Sequence, residues 1–147
     1  VFGGDVLKQD DYIKAKLVEL GWRYATFYGG GHLVGQMVMW CIANRVRAGW
    51  GSWLQMIDNV GMTIAENEIP PLKHPSVWDA AFVKLLHVVD GIHDGSMPDL
   101  SKGGTYWADL SKIERPWFRD KIVQARKPDG ELVHPRVVDM NSFSIWR

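Results

Sequence analysis

The apolar residues in the first third of the chain recur with a helical period. Ile13, Leu17, Leu20, Tyr24 and Phe27 are spaced by 4, 3, 4 and 3 positions, with Lys14, Lys16, Glu19 and Arg23 off the stripe. The pattern predicts an amphipathic helix of about four turns, begun by Asp10-Asp11 as its cap. Gly21 lowers its propensity modestly. Gly29-Gly30-Gly31 ends it, because consecutive glycines favour left-handed backbone and raise the cost of helical order. A second helix is expected over 34–48. From Met37 to Ala43 it has no polar side chain on any face, so other helices must wrap it. Asn44, Arg45 and Arg47 mark its exit, where cations suit the carbonyl end of the helix dipole.

Beyond residue 48 the pattern shortens. Ser52 is placed to cap a short helix over 53–59. Residues 60–75 carry Gly61, Pro70, Pro71 and Pro75 and read as a long surface connection. Ser76-Val77-Trp78-Asp79 has the form of a capping box with Asp in place of Glu or Gln. The helix it announces presents Val77, Ala81, Leu85 and Val88 on one side, and Gly91 closes it. Residues 92–112 are loop-rich. Pro116 suits a helix start, and 117–126 is a short helix or strand. Lys127-Pro128-Asp129-Gly130 is a turn between 122–125 and 131–138, so a C-terminal hairpin is expected. The predicted fold is mainly α with a small β hairpin, a single domain over 1–147 around a buried central helix.

Charge narrows the partners. The 17 basic and 17 acidic residues cancel, with no block of like charge longer than two. Duplex nucleic acid and anionic membranes both reward clustered Lys and Arg, so neither is expected as a partner. The apolar run from Met37 to Ala43 is short of the roughly 20 residues that span a bilayer, so no membrane insertion is expected. An uncharged polymer such as a polysaccharide fits better. Cys41 is the single cysteine, which rules out an intrachain disulfide; its apolar surroundings predict a small buried hydrophobe. Of the eight tryptophans, about six are expected in the core and one or two along a cleft, where indoles stack on sugar rings. No secretory signal is visible and the start at Val1 reads as trimmed, so any route out of a cell is expected from a holin, a virion or a fusion partner.

Other chemistries lack their residues. His87, His93 and Asp94 are loosely spaced, His32, His74 and His134 are scattered, and no His-Glu-x-x-His occurs. No metal and no cofactor is expected. The glycine triplet has no preceding strand and no Gly-Lys-Ser or Gly-Lys-Thr, so it is not a phosphate cradle. Cys41 has no His and amide partners placed for a thiol enzyme.

One set of motifs points to a function. Tyr28-Gly29, Gly35-Gln36 and Ile42-Ala43-Asn44-Arg45-Val46 resemble, in order, the Tyr-Gly-Glu, Gly-Gln and Val-Ile-x-Asn-Arg-Val of cell wall hydrolases related to spore-cortex-lytic enzymes. Asp99-Leu100-Ser101-Lys102-Gly103-Gly104-Thr105-Tyr106-Trp107 is similar to that family's Asp-Pro-Thr-Gly-Gly-Ala-x-Tyr-Phe, and Ser144-Ile145-Trp146-Arg147 to its closing aromatic strand. The resemblance covers most of the chain and implies a lysozyme-like domain, of a phage or bacterium, that cleaves peptidoglycan glycan strands as a glycosidase or lytic transglycosylase. It implies that Tyr28, Tyr106 and Trp107 line the sugar cleft, that Gln36 binds substrate or holds a backbone turn with Asn44 at its floor, and that the opposite wall is the 99–107 segment. It also implies a virion or a host periplasm and cell wall as location, with other virion proteins as further partners.

The chemistry needs a proton delivered to the leaving oxygen by a carboxylic acid of raised pKa; hydrolases add a second carboxylate. The family's acid follows Tyr-Gly. Here that catalytic position holds Gly30, and the family's second acid-rich turn is absent from a shortened loop. The chain is then an inactivated form, a saccharide-binding or structural virion protein that keeps the fold, or an enzyme with another acid. Asp109 is the substitute candidate. Glu19 stands roughly 16 Å before the motif by helical rise, and Glu66 and Glu68 fall in a proline-flanked surface loop.

Overall fold

The computed structural model describes residues 2–59, 70, 73–112, 126–140 and 142–147, with side chains from residue 9 onward except that of 112. Among these lie the helices α1 (Phe2–Tyr28), α2 (Gly31–Arg47), α3 (Trp53–Asp58) and α4 (Ala80–Asp94) and the strands β1 (Tyr106–Asp109), β2 (Arg136–Met140) and β3 (Phe143–Trp146). The strands form one antiparallel sheet in the order β1-β3-β2. The fold is mainly helical with a small sheet.

Its centre is α2, buried at every residue from Val34 to Ala43, as an all-apolar helix must be. The other three helices and β1 pack around it. Where α1 crosses α2, two glycines let the backbones touch. A Cβ on Gly35 would stand 2.8 Å from the Gly21 carbonyl oxygen, and one on Gly21 would stand 2.9 Å from that of Gly35. Gly21 is therefore the crossing point of two helices, where the sequence pattern alone marked only a weak helix position.

Several element ends differ from expectation for local reasons. α1 already runs from Phe2, so Asp10 and Asp11 lie inside it; a carboxylate caps only where the preceding backbone leaves the helix. α1 ends at Tyr28 as predicted, and α2 starts three residues earlier than expected, at Gly31. Ser52 caps α3 and exchanges bonds with Gln55 in a full capping box. The cap of α4 is Asp79, whose Oδ1 accepts from the Phe82 amide at 3.0 Å. Ser76 instead closes a preceding turn, accepting from the Asp79 amide through its carbonyl. Val77 thus falls outside the helix and is exposed, while Leu85, Val88, Val89 and Ile92 enter the core. Gly91 does not close α4; it makes room for Met97, into which any Cβ would run. Gly95, at φ 77°, ends the helix.

The predicted hairpin falls partly within the described residues. The Lys127–Gly130 turn is present, with the Lys127 amide donating to the Glu131 carbonyl at 2.8 Å and an isolated antiparallel bridge from Arg126 to Leu132. On its far side the strand β2 begins at Arg136 and pairs with β3. The expected arm at 122–125, the element over 117–126 up to Arg126 and the connection over 60–69 lie outside the described residues, together with Glu66, Glu68 and Trp117. β1 pairs with β3 in the register Tyr106 with Trp146 and Asp109 with Phe143. Alternation along these strands sends Trp107, Phe143 and Ile145 to the helices, and Tyr106, Ala108 and Trp146 to a second cluster with Val133. Trp22, Trp40, Trp107 and Trp146 are buried, Trp50 and Trp53 half-buried, and Trp78 is 89% exposed.

Candidate functional site

The glycine turn is built around its backbone. Gly29 and Gly31 have φ of 71° and 69°, values that favour glycine. Gly30 between them is the N-cap of α2, with φ −90° and ψ 2°, and supplies no side-chain cap. A Cβ there would collide with Val34 Cγ2 and lie 3.0 Å from Val34 Cβ. Val34 is 1% exposed and held in the core. The position where the resemblance expects an acid is thus closed to a side chain by the first turn of α2.

At the other end of α2, two polar residues tie the 99–107 segment down. Asn44 Nδ2 donates to Asp99 Oδ2 at 2.9 Å, to the Gly104 carbonyl at 2.9 Å and to Ser101 Oγ at 3.1 Å. Asp99 also accepts from the Ser101 and Gly103 amides and from Ser101 Oγ, so its carboxylate is spent on shaping its own loop. Arg45, next along the helix, is wholly buried. Its Nε donates to the Thr105 carbonyl at 2.7 Å, and its guanidinium lies 5.0 Å from the Tyr106 ring centre and 4.9 Å from that of Trp107. Its two terminal nitrogens have no hydrogen-bond partner among the described residues. Burial lowers its pKa from the usual arginine value, and the group still stays charged at neutral pH.

These contacts bring the expected site residues together, but as packing. Tyr106 and Trp107 are 4% and 7% exposed, so they are core residues and form no open cleft wall. Tyr24 meets Trp107 edge-on at 5.3 Å, and the half-buried Tyr28 packs on Tyr24 at 5.4 Å and on Phe143 at 5.8 Å. Rings therefore fill the space between the end of α1 and the sheet. Gln36 is buried and donates from Nε2 to His32 Nδ1 at 2.9 Å, four residues back on the same helix. Asp109, the candidate replacement acid, is 3% exposed and accepts from the Ser111 amide at 2.9 Å and from Ser111 Oγ at 2.6 Å. It holds the turn Leu110–Lys112 that follows β1. Glu19 faces away from these groups, with His74 Nδ1 3.6 Å from its carboxylate.

An open depression lies elsewhere, on the outer face of the last two turns of α1. It has a volume of about 230 Å³ and is lined by Trp22, Arg23, Thr26, Phe27, Pro70 and Lys73. The Arg23 guanidinium donates to the Pro70 carbonyl at 2.6 Å and so fastens Pro70 to the helix. Sequence reading passed over this site because two of its six lining residues, Pro70 and Lys73, come from a distant part of the chain. The available signal was the spacing of positions 22, 23, 26 and 27, which share one helical face. Among the described residues no three His, Cys, Asp or Glu side chains gather to hold a metal ion, and no helix is long and apolar enough to cross a membrane.

Compared with family models, with curated proteins and with solved structures, the chain matches none.

Proposed function

We propose that this chain is a peptidoglycan-directed domain of lysozyme-like architecture that holds the glycan strand without cutting it. One observation carries the reading: the separate pieces of the family resemblance converge in space. Asn44 clamps the loop from Asp99 to Gly104, Arg45 binds Thr105 while facing Tyr106 and Trp107, and Tyr106 pairs with Trp146 of the closing strand.

The absence of cleavage in this reading rests on the acids of the described residues. General-acid catalysis needs a carboxyl group within hydrogen-bond reach of the leaving oxygen. Gly30 has none and Val34 closes its place, while Asp109 and Asp99 are engaged in their own turns. A virion or a host cell wall is the location that goes with this function, and other virion proteins are the partners.

The test is cosedimentation with purified sacculi, followed by mass analysis of the supernatant. The expected result is binding with no release of reducing or anhydro-ended fragments. Released fragments would show a working acid and make the chain an enzyme. Protein left in the supernatant would end the glycan reading.

A further inference from the structure

We infer that the turn Ser76–Asp79, just ahead of α4, is a stacking platform for one sugar ring of the glycan strand. The inference rests on the peptidoglycan reading and names the surface through which the chain grips that polymer. Trp78 is 89% exposed, and Val77 beside it is 70% exposed. Every other described tryptophan is buried or half-buried, so only Trp78 leaves both faces of its indole open. The remaining exposed large apolar side chains among the described residues, Tyr12, Leu33, Leu86, Leu100 and Leu132, stand singly on separate parts of the fold, as is ordinary for a protein surface.

The turn is built to hold the indole outward. The Trp78 amide donates to Ser76 Oγ at 3.2 Å, and the Asp79 amide donates to the Ser76 carbonyl at 3.0 Å. Asp79 in turn caps α4, its Oδ1 accepting from the Phe82 amide and its carbonyl from the Val83 amide. The backbone under Trp78 is thus fixed from both sides before any ligand arrives, which reduces the ordering cost of binding.

Size and chemistry choose the occupant. A tryptophan buries about 150–250 Å² when covered, and with Val77 the patch falls well short of the roughly 800 Å² that each partner gives to a stable protein interface. It is too small to hold a folded partner or a second copy, whereas one face of an indole matches the apolar face of one pyranose. The polar groups of the turn suit sugar hydroxyls. Ser76 Oγ, having accepted from the Trp78 amide, keeps its own proton to donate. Asp79 Oδ2 accepts no hydrogen bond among the described residues and is available to a hydroxyl.

The test is cosedimentation of the unaltered chain, Trp78→Ala, Trp78→Phe and Tyr12→Ala with purified sacculi, joined to NMR titration of each with the trisaccharide of N-acetylglucosamine. Position 78 is exposed, so all four proteins should melt together. Trp78→Ala should bind sacculi at least about tenfold more weakly, while Trp78→Phe keeps most of the binding and Tyr12→Ala all of it. The trisaccharide should shift the Trp78 indole resonance. Undiminished sacculus binding by Trp78→Ala overturns the platform and leaves the glycan reading standing. A shifted Trp78 indole in a chain that ignores sacculi upholds the sugar platform and sinks the peptidoglycan reading. Neither response overturns both. Self-association of the unaltered chain that Trp78→Ala abolishes would make the turn a contact between copies, and that also overturns the inference.

Discussion

The side-chain amide of Asn44 and the carboxylate of Asp99, 55 positions apart in sequence, meet at 2.9 Å and join the central helix to the loop that leads into the sheet. The amide has two protons and three acceptors around it, so one proton is shared. Asn44→Ala removes all three bonds and leaves Asp99 and the Gly104 carbonyl short of a donor. The expected loss is about 2–3 kcal/mol of unfolding free energy. Urea denaturation of Asn44→Ala, Asp99→Ala and the double variant measures the coupling, which should be at least about 1 kcal/mol. Additive losses would show that the two residues act separately.

Placing a carboxylate at position 30, as the glycan reading would require for cleavage, is not a single substitution. Since a Cβ on Gly30 meets Val34 Cγ2, Gly30→Ala should destabilise by about 1–3 kcal/mol through overpacking. Val34→Ala opens the space, so the double variant should be more stable than the two losses added together predict. On the glycan reading, a cleaving form is then Gly30→Glu with Val34→Ala. Fragment release from sacculi by that pair and not by Gly30→Glu alone is the expected outcome. Equal thermal stability of Gly30→Ala and the unaltered chain would remove the steric argument.

How much of this was legible in the sequence depends on whether one element or two had to be known. The burial of α2 was readable because seven successive apolar residues leave no solvent face in any register. The end of α1 at Tyr28 was readable because glycine acts on its own backbone. Gly21 was misread because propensity treats a helix in isolation, and its role is to admit Gly35 of another helix. Arg45 read as a cation suited to a helix terminus, yet it is buried beneath two rings that come from residues 106 and 107. Tyr106 and Trp107 were expected to face a cleft because family motifs name residues and not the side of a strand they occupy. Of the depression only the shared helical face of positions 22, 23, 26 and 27 could be read, since Pro70 and Lys73 join it from a distant part of the chain.

Arg45 reverses the usual order of conservative substitution. A guanidinium buried between aromatic faces keeps the cation–π attraction and one bond to Thr105, while its other nitrogens find no acceptor. Lysine carries the same desolvation cost without the planar fork or the stacking. Methionine removes the charge and keeps much of the volume, at the expense of one donor to the Thr105 carbonyl. Arg45→Lys should therefore be the less stable, by about 1–2 kcal/mol relative to Arg45→Met. Thermal unfolding of both variants at neutral pH decides it, and a more stable lysine variant would mean that an acceptor reaches this site.

Cys41 is expected to lower stability at alkaline pH. Its thiol is wholly buried, and that burial pushes its pKa far above the ordinary thiol value, with the Arg45 charge opposing the shift only in part. The folded pKa is raised, so the stability tied to this group is complete below the unfolded value of about 8.5 and is lost as pH rises from there toward the folded one. In that window the unfolded chain releases a proton that the folded chain keeps. The expected slope from this one group approaches about 1.4 kcal/mol per pH unit above pH 9. Cys41→Ala should start from a lower plateau, because a small cavity opens beneath α2, but should fall less steeply between pH 9 and 10. Urea midpoints of both proteins across pH 7–10 test this. Parallel curves would show that the thiol titrates alike in the folded and unfolded chain, and rapid reaction of the folded protein with a thiol reagent would show that Cys41 is not sealed.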